Sequence, residues 1–140
     1  MADTDTDTET DTDSDSDTDP DTPLSDLEIV GSYLDPNSTE HVISTTNWVM
    51  DFGMEQYSYA LTQCDNDDRD LIAENAAENA GEAGKWSRFD WTYVAGELWY
   101  CQTTYLAETE QDAFNEPAAD SSAPSQTGCT PYGWLALTPF

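Results

Sequence analysis

The chain has 140 residues, thirty acids against three bases, and a formal charge of −27. A surface this acidic repels phosphate backbones and anionic headgroups, which argues against nucleic acid and charged lipid as partners and leaves cations, basic proteins and neutral glycans. The same composition fits adaptation to high salt, where solvated carboxylates preserve solubility.

The first 22 residues, MADTDTDTETDTDSDSDTDPDT, alternate an acid with Thr or Ser and hold ten of the thirty acids. Met1 and Ala2 are the only apolar residues of the segment, so it has nothing to bury against the entropy of ordering. It is expected to be a disordered acidic spacer, pushed by self-repulsion toward an extended reach of roughly 70 Å at about 3.3 Å per residue. Weak calcium collection and O-glycosylation of its threonines are the competing roles. Residues 23–140 are expected to form a single domain; the same three bases face the other twenty acids, a charge near −17.

From Leu24 the texture becomes that of strands. LEIVGSYL reads as a first strand with a bulge at Gly31, and DPNST as a turn. EHVISTTNWVM is rich in β-branched residues and reads as one second strand. MEQYSYALTQC alternates, with Tyr57, Tyr59 and Leu61 on one face. DNDDRD is a loop. In LIAENAAENAGEAGK the Ala and Glu residues favour helix while Asn75, Asn79, Gly81 and Gly84 weaken it, so Leu71–Ala77 reads as strand or short helix.

Trp86–Gln102, WSRFDWTYVAGELWYCQ, reads as a hairpin with Ala95-Gly96 as its two-residue turn. That turn pairs Val94 with Glu97, Tyr93 with Leu98, Trp91 with Tyr100 and Phe89 with Gln102. Phe89, Trp91, Tyr93, Leu98 and Tyr100 then share one face, which is expected to be core. The opposite face carries Arg88, Asp90, Thr92, Val94, Glu97, Trp99 and Cys101. Its mixed character makes Trp86, Arg88, Asp90 and Trp99 the candidate ligand contacts, with Arg88 pairing with Asp90 or stacking on Trp86 or Trp99.

In LAETEQDAF, Thr109 can cap a short helix, with Asp112 three residues on. EPAADSSAPSQTG is a long loop, and GCTPYGWLALTPF a turn followed by a short final strand. Many strands with tight turns and little helix predict an all-β fold, an antiparallel sandwich or small up-and-down barrel.

Chemistry-bearing patterns are sparse. Asp65, Asp67, Asp68 and Asp70 are the candidate calcium ligands, but the positions that an EF-hand gives to Gly and Glu hold Asp70 and Ala76. No Cys-x-x-Cys occurs and His41 is remote from every cysteine, which argues against zinc. His41 is the one histidine, expected to be a packing or surface residue, so a nucleophilic triad has no base to spare. A glycosidase-like carboxylate pair has no signature in sequence, because such pairs are recognised by spatial separation. No cofactor is indicated. Asn37-Ser38-Thr39 is a glycosylation sequon. The odd cysteine count, Cys64, Cys101 and Cys129, suggests one bridge and one leftover thiol. Neither a bilayer-spanning apolar run nor a signal peptide is present, and an acidic spacer suits the space between an anchor and a domain. The expected location is therefore extracellular or cell-surface, with the targeting segment already removed.

The segments WSRFDW, LWYCQ and GCTPYGW together resemble a pattern of small exported β-domains of myxobacteria and some marine microbes. The Thr/Asp spacer resembles the stalk that follows a lipoprotein cysteine in such bacteria. The resemblance covers most of Gly31–Leu137 and implies export, a β fold and a Cys101–Cys129 bridge, and no activity. Such a bridge would draw the C-terminal segment and Trp134 across the outer face of the hairpin. It would stabilise by about 3 kcal/mol through loop-closure entropy.

The expected function is thus a monomeric, non-catalytic binding or structural β module on an acidic stalk, exported, with glycan, cation or basic protein as ligand. The alternatives are a small carboxylate-dependent hydrolase or isomerase with its site in a barrel mouth, and a calcium-stabilised adhesion domain. A cavity holding a buried acid beside Trp86 or Trp99 would favour the enzyme; a filled barrel would oppose it.

Overall fold

The computed structural model describes residues 22–129 and 133–140. The predicted disordered tail, from its start to Asp21, and the turn residues 130–132 lie outside the described residues. The strands are β1 (Gly31–Leu34), β2 (Glu40–Ile43), β3 (Asn47–Asp51), β4 (Gln56–Asp65), β5 (Asp70–Asn75), β6 (Trp86–Val94), β7 (Glu97–Ala107) and β8 (Leu135–Pro139). Each pairs antiparallel with the next, and β8 returns to β1 through Tyr33–Pro139 and Leu34–Thr138, closing a barrel. Of sandwich and barrel, the fold is the barrel. Among the described residues no helix is long and apolar enough to cross a membrane.

The interior follows the period-two rule of strands. His41 and Ile43, Trp48 and Met50, Tyr59 and Leu61, Leu71 and Ala73, Phe89 and Trp91, and Leu98 and Tyr100 alternate inward, with Leu137 among them. Trp48 lies at the centre, stacked on Phe89 at 4.3 Å between ring centroids and tilted against Tyr100 at 5.3 Å. Aromatic pairs in such geometries add about 0.5–1.5 kcal/mol beyond the area they bury.

The hairpin of β6 and β7 has the register that its turn predicts, with Val94–Glu97, Tyr93–Leu98, Trp91–Tyr100 and Phe89–Gln102 opposed. Ala95 and Gly96 both take positive φ, 51° and 84°, the primed turn that matches strand twist. Tyr93 departs from the expectation. It sits at the end of β6, where the barrel wall outruns the core, and is exposed beneath Arg69, whose guanidinium lies 5.0 Å from the ring centroid.

Two other segments correct the sequence reading, and a third decides between its alternatives. EHVISTTNWVM is two strands, because the Ser44 backbone N–H donates to the Asn47 carbonyl and the Ser44 hydroxyl accepts from the Asn47 N–H, closing a turn. That local side-chain bonding outweighs the β propensity of the two threonines. LEIVGSYL is strand only from Gly31. Leu24–Asp26 form a single 3-10 turn, and Leu27 and Ile29 bury their side chains in the core. The ambiguous LIAENAAENAGEAGK is strand as far as Asn75 and then irregular.

The two ends of the barrel differ. Residues 22–30 cross the end formed by Asp65–Arg69 and the β6–β7 turn. There the Asn66 N–H donates to Thr22 Oγ1, the Glu28 N–H to Asn66 Oδ1, and Trp91 Nε1 to Glu28 Oε2 at 2.7 Å. Thr22 also bridges to Cys64, so the ordered fold includes the last residue of the predicted tail. Cys64 is a free, buried thiol and Cys101 is bonded to Cys129, one bridge and one leftover as expected. At the opposite end, beside Asp35, Asp51 and Asn75, the described residues leave a cavity open.

The outer wall of β5–β7 is covered too. Helix α1 (Glu110–Phe114), capped by the Thr109 hydroxyl accepting from the Asp112 N–H, packs on β5, β6 and β7. The chain then runs as a strap to Cys129. Gly128 is required there, since a Cβ would collide with the Asp120 carbonyl.

Candidate functional site: the open barrel mouth

The open end leads into a cavity of about 310 Å³. This volume sits at the lower end of small-ligand sites. Met50 and Tyr100 form its floor, and Tyr57, Tyr59, Gln102 and Tyr105 its walls. Phe52 stands exposed at the rim, and Leu135, opposite Tyr100, packs partly buried against the core.

The acids that reach it are Asp35 and Glu82, both buried. Asp35 follows β1 in a turn that its own carboxylate organises: Oδ1 accepts the backbone N–H groups of Asn37 and Thr39 at 2.8 and 3.1 Å. Its other oxygen, Oδ2, is 2.9 Å from His41 Nε2. Trp48 Nε1, which can only donate, is 3.0 Å from His41 Nδ1. That contact fixes the tautomer, with Nδ1 accepting and Nε2–H donating to Asp35. Burial holds His41 below its usual pKa against the raising influence of Asp35, so the ring stays neutral. His41 is fully buried and acts as a strut between the tryptophan and the carboxylate.

Glu82 is delivered by the irregular segment after β5. Asn79 clamps that segment to β4, its Oδ1 accepting from the Ser58 N–H and its Nδ2 donating to the Ser58 carbonyl. Asn75 adds donors to the carbonyls of Glu82 and Tyr105 and accepts from Ser87 Oγ. Held in this way, Glu82 Oε1 accepts from Tyr59 Oη at 2.9 Å. Burial raises the Glu82 carboxyl above its ordinary range, opposed by the hydrogen bonds from Tyr59 and Asn79. Burial also raises the Tyr59 and Tyr100 hydroxyls, which stay protonated.

The sequence-predicted contacts lie elsewhere. Trp86, Arg88, Asp90 and Trp99 are on the outer wall and none lines the mouth. Arg88 does pair with Asp90, Nε to Oδ1 at 2.8 Å. It also donates to Asp70 at 3.1 Å and to the carbonyls of Phe114, at the end of α1, and Glu116, in the strap. Asp90 accepts from the Ala119 N–H. Trp99 packs against Cys101, Cys129 and Trp134, so the bridge does draw the C-terminal segment across this face. Asp65 turns its carboxylate onto the N–H groups of Asp67 and Asp68, and Asp70 faces Arg88. Among the described residues, no three His, Cys, Asp or Glu side chains converge as a metal-holding group.

The buried acids set a pH dependence. Burial pushes Asp70 up to about 6 against the pull of Arg88, and it raises Asp90 and Glu82 as well. A carboxyl raised by folding takes up its proton in the native state first, so stability grows as pH falls from about 6 toward the ordinary carboxylate range. His41 works in the opposite sense below its usual 6.5, because only the unfolded chain protonates it there. Asp90 and Glu82 act in the same sense as Asp70. Thermal unfolding is expected to show its highest Tm near pH 5 rather than near neutrality, and a Tm that rises steadily from pH 5 to 7.5 would contradict these shifts.

No family model matches the chain, and no curated protein or solved structure is significantly similar to it.

Proposed function

We propose that the protein is an exported, non-catalytic binding module that takes a small ligand into the mouth of its barrel. The observation that carries this reading is the asymmetry of the two ends. One is closed by residues 22–30 with buried Leu27 and Ile29, and the other opens on about 310 Å³ of polar and aromatic lining. A closed eight-stranded barrel has an interior just wide enough for side chains or one small ligand, and here the side chains fill one half. Export is supported by the Cys101–Cys129 bridge, which is compatible with an oxidising compartment. The acidic segment preceding the barrel is read as its stalk.

A screen of neutral oligosaccharides and small amines by NMR is expected to move the resonances of Tyr59, Tyr100 and Phe52 and to leave Trp86 and Trp99 unmoved. Leu135→Trp, which puts a larger ring into the mouth opposite Tyr100, should abolish binding. Binding that survives this variant and shifts Trp86 instead would return the site to the outer wall.

A second reading, a carboxylate-dependent hydrolase or isomerase, has Glu82 in its favour: a buried acid with a raised pKa facing a cavity suits a general acid. Turnover of a bound compound, lost in Glu82→Gln while binding persists, would replace the binding reading.

A further inference from the structure

The mouth holds two buried acids and no base. The chain has three basic side chains, Arg69, Lys85 and Arg88, and each is engaged outside the cavity. Arg69 lies 3.8 Å from Glu28 at the closed end, Lys85 is 2.7 Å from Glu108, and Arg88 is committed beneath the strap. His41, the remaining candidate for a positive charge, is held neutral by burial and by the Trp48 N–H on its Nδ1. Buried charge is ordinarily paired, and here the acids have neutral hydrogen-bond donors on them but no cationic side chain.

The hydrogen bonds of Glu82 fall on Oε1, leaving Oε2 without a partner among the described residues. Around these acids stand the rings of Phe52, Tyr57, Tyr59 and Tyr100. Phe52 and Tyr57 meet edge to face at 5.5 Å between centroids. Aromatic walls around a carboxylate are the chemistry that recognises ammonium and guanidinium groups, whose charge is satisfied by ring faces as well as by oxygen. An inorganic cation would instead demand a shell of oxygens. The field of the whole molecule, at −27, also concentrates cations near its surface.

We propose that the mouth binds an organic cation, its ammonium or guanidinium group seated against Glu82 and Asp35 and walled by aromatic rings. This rests on the reading of the mouth as the binding site and gives that site its ligand class.

The test is calorimetric and NMR titration of the full chain with choline, with agmatine, and with the neutral analogue of choline in which carbon replaces nitrogen. At least one cation is expected to bind with shifts at the mouth tyrosines, and the neutral analogue about tenfold or more weakly than choline. Glu82→Gln should weaken the cations about tenfold and leave the neutral analogue unchanged. Phe52→Leu keeps the rim apolar but removes a ring; Phe52 is half exposed, so this variant folds even where Glu82→Gln does not, and it should weaken choline several-fold. The inference falls if neither cation binds, if choline and its analogue bind equally, or if both variants leave the cations unaffected. A neutral oligosaccharide shifting the mouth tyrosines in those cases would overturn the cation and keep the mouth. Ligands that shift Trp86 and no mouth residue would overturn both.

Discussion

Arg88→Met is expected to destabilise the protein by about 3–5 kcal/mol at pH 7, the cost of leaving buried carboxylates without their cation. The side chain is buried, with Asp90 and Asp70 on two of its nitrogens and the carbonyls of Phe114 and Glu116 on the third. A methionine fills much of the volume and satisfies none of the four oxygens. The loss should be smaller at pH 5, because Asp70, pushed up to about 6, is then largely protonated and needs no counter-charge. Adding Asp70→Asn and Asp90→Asn should recover much of the stability at pH 7, since exchanging a whole buried ion cluster for neutral groups costs far less than breaking it. Urea unfolding of the three proteins at both pH values decides this, and a loss independent of pH would mean that packing rather than charge is at stake.

Trp48→Ala should cost a comparable 3–5 kcal/mol through the hole left at the centre of the aromatic stack. Its sharper form is Trp48→Phe, which keeps a ring against Phe89 and removes the donor that fixes His41. With Nδ1 left unsatisfied, a further penalty of about 1–3 kcal/mol applies. The imidazole is also free to exchange its tautomer, so the hydrogen bond to Asp35 Oδ2 is no longer guaranteed. Nitrogen chemical shifts of the imidazole report this directly: the native protein should show a single tautomer with the proton on Nε2, and Trp48→Phe a mixture. A single unchanged tautomer in the variant would show that Asp35 alone holds the ring.

How far the fold could be read in advance depended on where local chemistry matched the tertiary demand. The β6–β7 register was legible because a two-residue turn leaves one pairing, and the α1 cap because Thr109 and Asp112 carry their partners within one turn. The β2–β3 turn was not, because its signal is a serine hydroxyl folded onto its own backbone amid strand-forming residues. Tyr93 misled because a period-two rule assigns a face and is silent on where the core ends.

The mouth was harder still. Asp35, Glu82, Tyr59 and Tyr100 come from separate elements, and Glu82 sits in an Ala/Gly-rich segment whose conformation is fixed by the grip of Asn79 on β4. One signal was present. His41, Asn75, Ser87 and Gln102 occupy the inward phase of strands whose other inward residues are apolar. Polar residues at that phase mark an interior that must satisfy hydrogen bonds. The outer face of the hairpin looked ligand-ready for the opposite reason, since its polar groups are matched by a strap far along the chain.

The closing seam between β1 and β8 has a consequence for how the barrel is assembled. Tyr33 pairs with Pro139 across nearly the whole described chain, so the last step brings together segments of maximal sequence separation. Such contacts are slow to find, since entropy is lost before any contact energy is gained. Until they form, β1 and β8 are open edges available to other chains. The Cys101–Cys129 link tethers the approach to β8 onto β7 and so shortens that search. A thiol-reduced chain should therefore close its barrel more slowly and spend longer with both edges exposed, which makes oxidation before closure a safeguard against aggregation as well as a contribution to stability.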